Sequence, residues 1–221
     1  MPRTWMTVGQ WAIVVAMFAA GALAWPFTPE RIPVHWSLSG EANRYGGKLE
    51  GLFLLPVITL VLLVGLKLLP RIDPRGARYA DFAPAYEILT LAIVAFMAAV
   101  YAVTLAIAFG AALNVTRIIL PLVGVLLVVV GAVLGQVQPN WFVGIRTPWT
   151  LSSEKSWSAT HRMGRWVLIG LGAVLVVAGL VQTSWALVGA LLLCVAGCVG
   201  LIAYSFVVWR DDPDRTSPRP T

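Results

Sequence analysis

Two histidines, His35 and His161, are the groups in this chain best suited to proton transfer or metal binding. Glu154 precedes His161 by seven residues, two helical turns, so a helix here would set carboxylate and imidazole on one side. Ser152, Ser153 and Thr160 add hydroxyls, the raw material of a nucleophile and its base. The pattern does not complete an active site: it has no nucleophile elbow, no His-Glu-x-x-His run and no carboxylate cluster. His35 has Glu30 and Glu41 as its nearest oxygen donors. One imidazole with scattered carboxylates falls short of the converging ligands a metal requires. The expectation is no catalytic residue, no metal, no cofactor and no enzyme.

The elements that must position these residues follow from composition. The 221 residues are 59% hydrophobic and 12% charged, against about 25% charge in a soluble domain. A chain this apolar cannot cover a water-facing surface, so its solvent is lipid. A span needs about 20 apolar residues to cross a core of about 30 Å. Spans are predicted at Trp5 to Phe27, Gly51 to Leu69, within Ile88 to Gly110, and within Ile118 to Gln136. From Trp166 to Trp209 there are 44 residues without charge, right for two spans turning at Gln182-Thr183-Ser184. The first run is too long for a cleaved signal peptide and reads as a retained span. Trp5, Trp25, Trp185 and Trp209 fall at span ends, where amphipathic rings favour the headgroup zone.

Orientation follows from Lys and Arg. With the N-terminus cytoplasmic, twelve of the 16 cations lie inside and four (Arg31, Arg44, Lys48 and Arg117) outside. The expected fold is an all-α integral membrane protein of six helices with both termini cytoplasmic and a short outer loop. Residues 1–69 form a first hairpin, 70–87 an inner basic loop, 88–209 four helices, and the Pro-rich 210–221 a disordered tail. The net charge of +6 lies in loops, so direct nucleic-acid binding is not expected. Cys194 and Cys198, four apart in an apolar run, read as small buried side chains rather than a disulfide.

The spans lack mid-membrane Asp, Glu, Lys, Arg or His, which counts against an ion-coupled carrier. Pro56 and Pro121 read as first-turn prolines, and Lys67 as a snorkelling cation. Three polar segments remain to carry function: an outer loop (Thr28 to Glu50), an inner loop (Pro70 to Glu87) and the inner segment 140–166. In the outer loop, Ile32, Val34 and Trp36 alternate as in a short extended stretch. Its candidate contacts are His35, Trp36, Gly40 and Tyr45. The inner segment, residues 140–166, holds four cations and four of the ten tryptophans. Thr147-Pro148 forces an extended residue, and Thr150 or Ser152 can cap a helix with Glu154 in its first turn. Trp157, His161 and Gly164 then share one face, with Thr160 beside them. This predicts an amphipathic helix on the inner surface or running straight into the fifth span. Its candidate partner-binding residues are Asn140, Trp141, Gly144, Arg146, Thr147, Pro148, Trp149, Glu154, Trp157, Thr160, His161 and Arg162.

The run "NWFVGIRTPWTLSSEKSWSATHRMG" resembles the signature of the SdpI family, immunity proteins against the bacterial sporulation-delaying protein toxin. "PERIPVHWSLSGEANRYGGK" resembles the small domain that often precedes it. The resemblance implies a multi-pass protein of the bacterial plasma membrane. It implies a secreted peptide toxin as outer partner and a cytoplasmic repressor or other protein as inner partner, with the lipid bilayer around the chain and a homo-oligomer as a further candidate. The alternatives are a small transporter or exporter of an amphipathic substrate and, less favoured, a membrane-embedded enzyme.

Overall fold

The computed structural model of the chain describes residues 4–37 and 40–216. Six of its helices are long and apolar enough to cross a membrane. They are α1 (Thr4–Ala24), α2 (Lys48–Ile72), α3 (Ala83–Ala108), α4 (Val115–Leu134), α6 (Glu154–Val181) and α7 (Ser184–Arg210), with a single-turn α5 (Pro148–Leu151) before α6. The turn expected at Gln182 to Ser184 is there: Gln182 takes a left-handed conformation and Thr183 caps α7 through the Ala186 amide. Trp5 and Trp185 are strongly exposed at helix starts, as interfacial rings should be. Cys194 and Cys198 are free thiols, but neither is buried as expected: Cys194 is half-buried and Cys198 exposed.

The outer loop forms more than one extended stretch. β1 (Arg31–Trp36) pairs antiparallel with β2 (Ala42–Gly47). The hairpin sits on the helix ends through Ile32, which is fully buried with Ala24, Leu52 and Ala108. Gly51 makes this possible, since a Cβ there would come within 2.7 Å of Ile32. The inner loop and the signature segment share a core at the opposite end: Tyr79, Phe82 and Tyr86 pack with Val133, Val137, Val143 and Trp157.

The prolines are not where the sequence placed them. Pro56 and Pro121 lie inside α2 and α4, as does Pro70 in α2. An internal proline removes the amide that would serve the carbonyl four residues earlier. For Pro56 that carbonyl is Leu52 O, which accepts from Tyr101 Oη at 2.8 Å. For Pro70 it is Leu66 O, which accepts from Tyr86 Oη at 2.5 Å. Both tyrosines come from α3, so two backbone acceptors freed by proline become two tethers between α2 and α3. Helix α2 could therefore start earlier and keep its prolines internal.

Lys67 also departs from expectation. Instead of snorkelling, its ammonium lies 2.9 Å from both carboxylate oxygens of Glu87, on α3. Gln10 Nε2, fully buried on α1, donates to Glu87 Oε2 at 2.9 Å. The first three helices therefore share a charged contact toward the signature end, at the margins of spans whose middles are uncharged.

Helices α4 and α6 approach most closely. A Cβ on Gly124 would come within 2.5 Å of Gly172 O, and one on Gly172 within 2.4 Å of Gly124 O. Gly179 packs in the same way on Pro121. Small residues permit such backbone approach, and dispersion supplies the stability where lipid removes the usual hydrophobic drive.

Candidate functional site

At the signature end, Asn140 organises the turn that follows α4. It is fully buried. Its Oδ1 accepts from the Phe142 and Val143 amides at 2.8 and 2.6 Å and from Tyr79 Oη at 3.3 Å. Its Nδ2 donates to Gln138 O and Val143 O, each at 2.9 Å. Five contacts saturate one carboxamide. Asp73, from the inner loop, accepts from Tyr79 Oη and from the Trp141 amide, each at 3.0 Å, and from the Arg75 amide at 2.7 Å. The inner loop is thus bonded to the signature as well as packed against it.

His161 closes the turn from the other side. It is buried on α6 and stacked on Trp157, ring centroids 4.1 Å apart. Nδ1 lies 2.8 Å from Trp157 O, which can only accept. Nε2 lies 3.1 Å from the Ile145 amide, which can only donate. The pair of contacts assigns a neutral ring with its proton on Nδ1. Gly144 has φ of +118°, and a Cβ there would reach within 2.3 Å of Nε2. Glycine is therefore needed both for the backbone and for the imidazole's seat. Gly164, one turn on, admits Ile145. Trp157, Thr160, His161 and Gly164 are all buried, as their shared face predicted. Trp157 Nε1 donates to Val137 O at 2.8 Å.

Thr147 and Thr150 form a reciprocal capping box around α5, with Pro148 at its first position. Thr147 Oγ1 also lies 3.0 Å from Ser205 Oγ, on α7. The cap of α6 is Ser153 rather than the expected Thr150 or Ser152, with its Oγ accepting from the Ser156 amide at 2.9 Å. The helix is continuous from Glu154 into the membrane span, so the Trp157–Gly164 stretch runs straight into that span rather than forming a helix of its own. Glu154 and His161 do not meet. The carboxylate is exposed and pairs with Arg78 at 2.6 Å, while the imidazole faces the core. Both ring nitrogens are engaged by backbone, so the simplest acid–base pairing is not assembled.

Trp141, Arg146, Pro148 and Arg162 are exposed and Trp149 is half-buried against Phe206, 5.2 Å between ring centroids. Arg146 donates to Trp141 O at 2.6 Å, and the Arg75 guanidinium lies 5.8 Å from the Trp141 ring centroid. The twelve inner candidates therefore divide into a locked interior and a cationic, aromatic exterior.

The tail differs from its expectation of disorder. Residues 211–216 lie against the signature, while 217–221 fall outside the described residues. Ser153 Oγ donates to Asp212 Oδ2 at 2.5 Å, Thr216 N donates to Ser152 O at 3.1 Å, and Lys155 Nζ donates to Asp211 O at 3.1 Å. The Ser153 hydrogen bond, with Lys155 and Arg215 near, holds the Asp212 carboxyl below its ordinary range despite the opposing effect of burial.

At the hairpin end, His35 Nδ1 lies 2.6 Å from Asn43 Oδ1, in an exposed contact. Gly40 takes φ of +86° in the turn and sits on the Asn114 side chain. Leu38 and Ser39 of that turn lie outside the described residues. Trp36 divides two clefts. One, of 380 Å³, is apolar and runs between α3 and α4 below Val34, His35 and Trp36, lined by Val100, Ile119 and Val123. The other, of 470 Å³, holds Trp36, Gly40 and Tyr45. All four outer candidates therefore line one of two adjoining clefts. Among the described residues no group of three His, Cys, Asp or Glu could hold a metal.

Sequence reasoning missed Asp73, Tyr79, Ser205 and Asp212, each a polar partner of the signature. Their signals were faint: one acid before proline in a basic loop, and one serine in an apolar helix.

Residues 136–205 match the SdpI/YfhL protein family model, and residues 12–60 match a domain of unknown function (DUF1648). The chain is similar to the immunity protein SdpI of Bacillus subtilis (strain 168), 27% identical over 165 residues, or 75% of this chain and 77% of that protein. No solved structure matches. The SdpI/YfhL match covers the signature and the two helices after it, so the chain is similar to that family through this region, and its six candidate spans are those of a multi-pass membrane protein.

Proposed function

We propose that the chain is an immunity protein of the bacterial plasma membrane, protecting its cell from a secreted toxic peptide. The clefts divided by Trp36 receive the peptide on the outer face, and segment 140–166 couples that event to a cytoplasmic protein. The observation that carries the reading is the division of the chain: a hairpin with open clefts at one end and, at the other, a signature whose Asn140, Trp157 and His161 are buried and hydrogen-bonded to backbone. Positive charge gathered at the signature end supports placing that end in the cytoplasm. The similarity to a protein named for immunity supports the protective role.

The test is a survival assay. Cells expressing the chain should withstand a candidate toxin that kills cells without it, and Trp36→Ala should abolish protection while leaving the protein folded in the membrane. No saturable peptide binding, together with unchanged toxin sensitivity on deletion, ends this reading. One observation favours a second reading, export of an amphipathic substrate. Another apolar cleft of 340 Å³, lined by Leu89, Val130 and Phe142, opens on the α3–α4 seam at the signature end. Flux of such a substrate in proteoliposomes would separate export from binding alone.

A further inference from the structure

The stretch after α7 sits on the signature in the manner of a ligand. Asp212 is buried. Its carboxylate takes the Ser153 hydroxyl, the group that also caps α6. Asp212 Oδ1 accepts from its own neighbour, the Asp214 amide, at 3.2 Å, so the strap folds into a tight turn around this anchor. Thr216 then reaches Ser152 O through both its amide and its hydroxyl, at 3.1 and 3.2 Å. Two cations face this acidic strap: Lys155, bonded to Asp211 O, and Arg75, from the inner loop. A polar pocket of 430 Å³ remains between strap and signature, bounded by Arg75, Ser153, Lys155, Asp212 and Asp214.

The strap is not needed to complete the fold. It buries no large apolar side chain among its described residues, and Ser153 already caps α6 through the Ser156 amide. Its contacts are polar and charge-assisted, so they exchange readily against an equivalent partner.

We propose that this surface is a docking site for an acidic, turn-forming peptide segment of a partner protein, and that residues 211–216 occupy it in cis until displaced. The proposal rests on the reading that the signature couples to a partner. It deepens that reading by naming the chemistry recognised: a carboxylate seated on Ser153, followed by a hydroxyl-bearing residue that reaches Ser152 O. A release of the strap frees Ser153, Lys155 and the Ser152 carbonyl together, exposing the site and vacating its pocket in one step.

The experiment uses the chain in lipid nanodiscs, with and without residues 211–221, and a fluorescent peptide of sequence WRDDPDRTSPRPT. The shortened chain should bind the peptide saturably. The full-length chain should bind at least tenfold more weakly, and a peptide carrying the Asp212→Asn change should lose at least tenfold in affinity for the shortened chain. Equal binding by both chains, or equal binding of both peptides, overturns the proposal. A second measurement covers the case in which free peptide is too weak to detect. Hydrogen exchange at residues 147–157 should accelerate in full-length Asp212→Asn, and unchanged exchange overturns the strap as well. Survival under toxin separates this proposal from the functional reading: shortened chain that still protects, while the two peptides bind it equally or exchange at residues 147–157 is unchanged in Asp212→Asn, removes the docking site and leaves immunity standing.

Discussion

The two ends of the molecule are polar for opposite reasons. At the hairpin end the polar and aromatic groups are spent on open surface. His35 and Tyr45 are accessible, Arg44 pairs with Glu50 at the surface, and two clefts open beside Trp36. At the signature end the conspicuous residues are consumed internally. Asn140, Thr150, Trp157 and His161 are buried and bonded to backbone. The lesson is that a dense motif need not be a contact surface. A motif can be the set of residues required to hold a turn, with recognition left to plainer neighbours.

Substitutions should break the ends differently. The largest effect is expected for Trp157→Ala, which removes a fully buried ring together with the bond to Val137 O. A loss of about 3–5 kcal/mol is expected, read as a lower unfolding temperature in nanodiscs. Trp36→Ala at the other end should leave that temperature nearly unchanged and cost ligand binding. Next is Gly144→Ala, where left-handed strain of about 1–3 kcal/mol adds to the collision with His161. Combining it with His161→Ala should cost less than the sum of the two, because the second change removes the collision.

Between the ends, Tyr101→Phe should cost about 1–3 kcal/mol by leaving Leu52 O without a donor. Pro56→Ala in that background should restore much of it, since residue 56 regains the amide that serves Leu52 O. Failure of that rescue would mean the tyrosine acts only by packing. The smallest stability change is expected for Arg44→Ala, within about 1 kcal/mol, as for other surface pairs. Acid should act on the strap late. A carboxyl depressed in the folded state contributes its stability at neutral pH and loses it as pH falls through its folded value. The strap should therefore survive mild acid and loosen only below the ordinary carboxylate range near about 3.9, followed by hydrogen exchange at residues 147–157.

Much of this was legible in the chain. Six apolar runs, the Gln182–Ser184 turn and the Trp157–His161–Gly164 face all follow from hydropathy and helical spacing. The alternation at Ile32, Val34 and Trp36 marked β1, but β2 was hidden because "ANRYGG" has neither alternation nor β-branched residues. Pro56 misled because propensity is local, whereas the donor that makes an internal proline tolerable, Tyr101, lies 49 residues from Leu52. The spacing of Glu154 and His161 could not settle whether they meet: two turns gives near alignment, but burial decides which side chain turns inward. Asp212 was unreadable as an anchor because an acidic, Pro-containing tail has the composition of disorder.

The central claim is that the signature histidine is a structural clasp, fixed by two backbone partners. Nitrogen-15 NMR of the chain in nanodiscs, with His35→Ala so that one imidazole remains, tests it most directly. The account predicts a neutral ring with the proton on Nδ1 and an accepting Nε2, unchanged when a candidate peptide is added. A proton on Nε2, or a tautomer that switches with ligand, would contradict it.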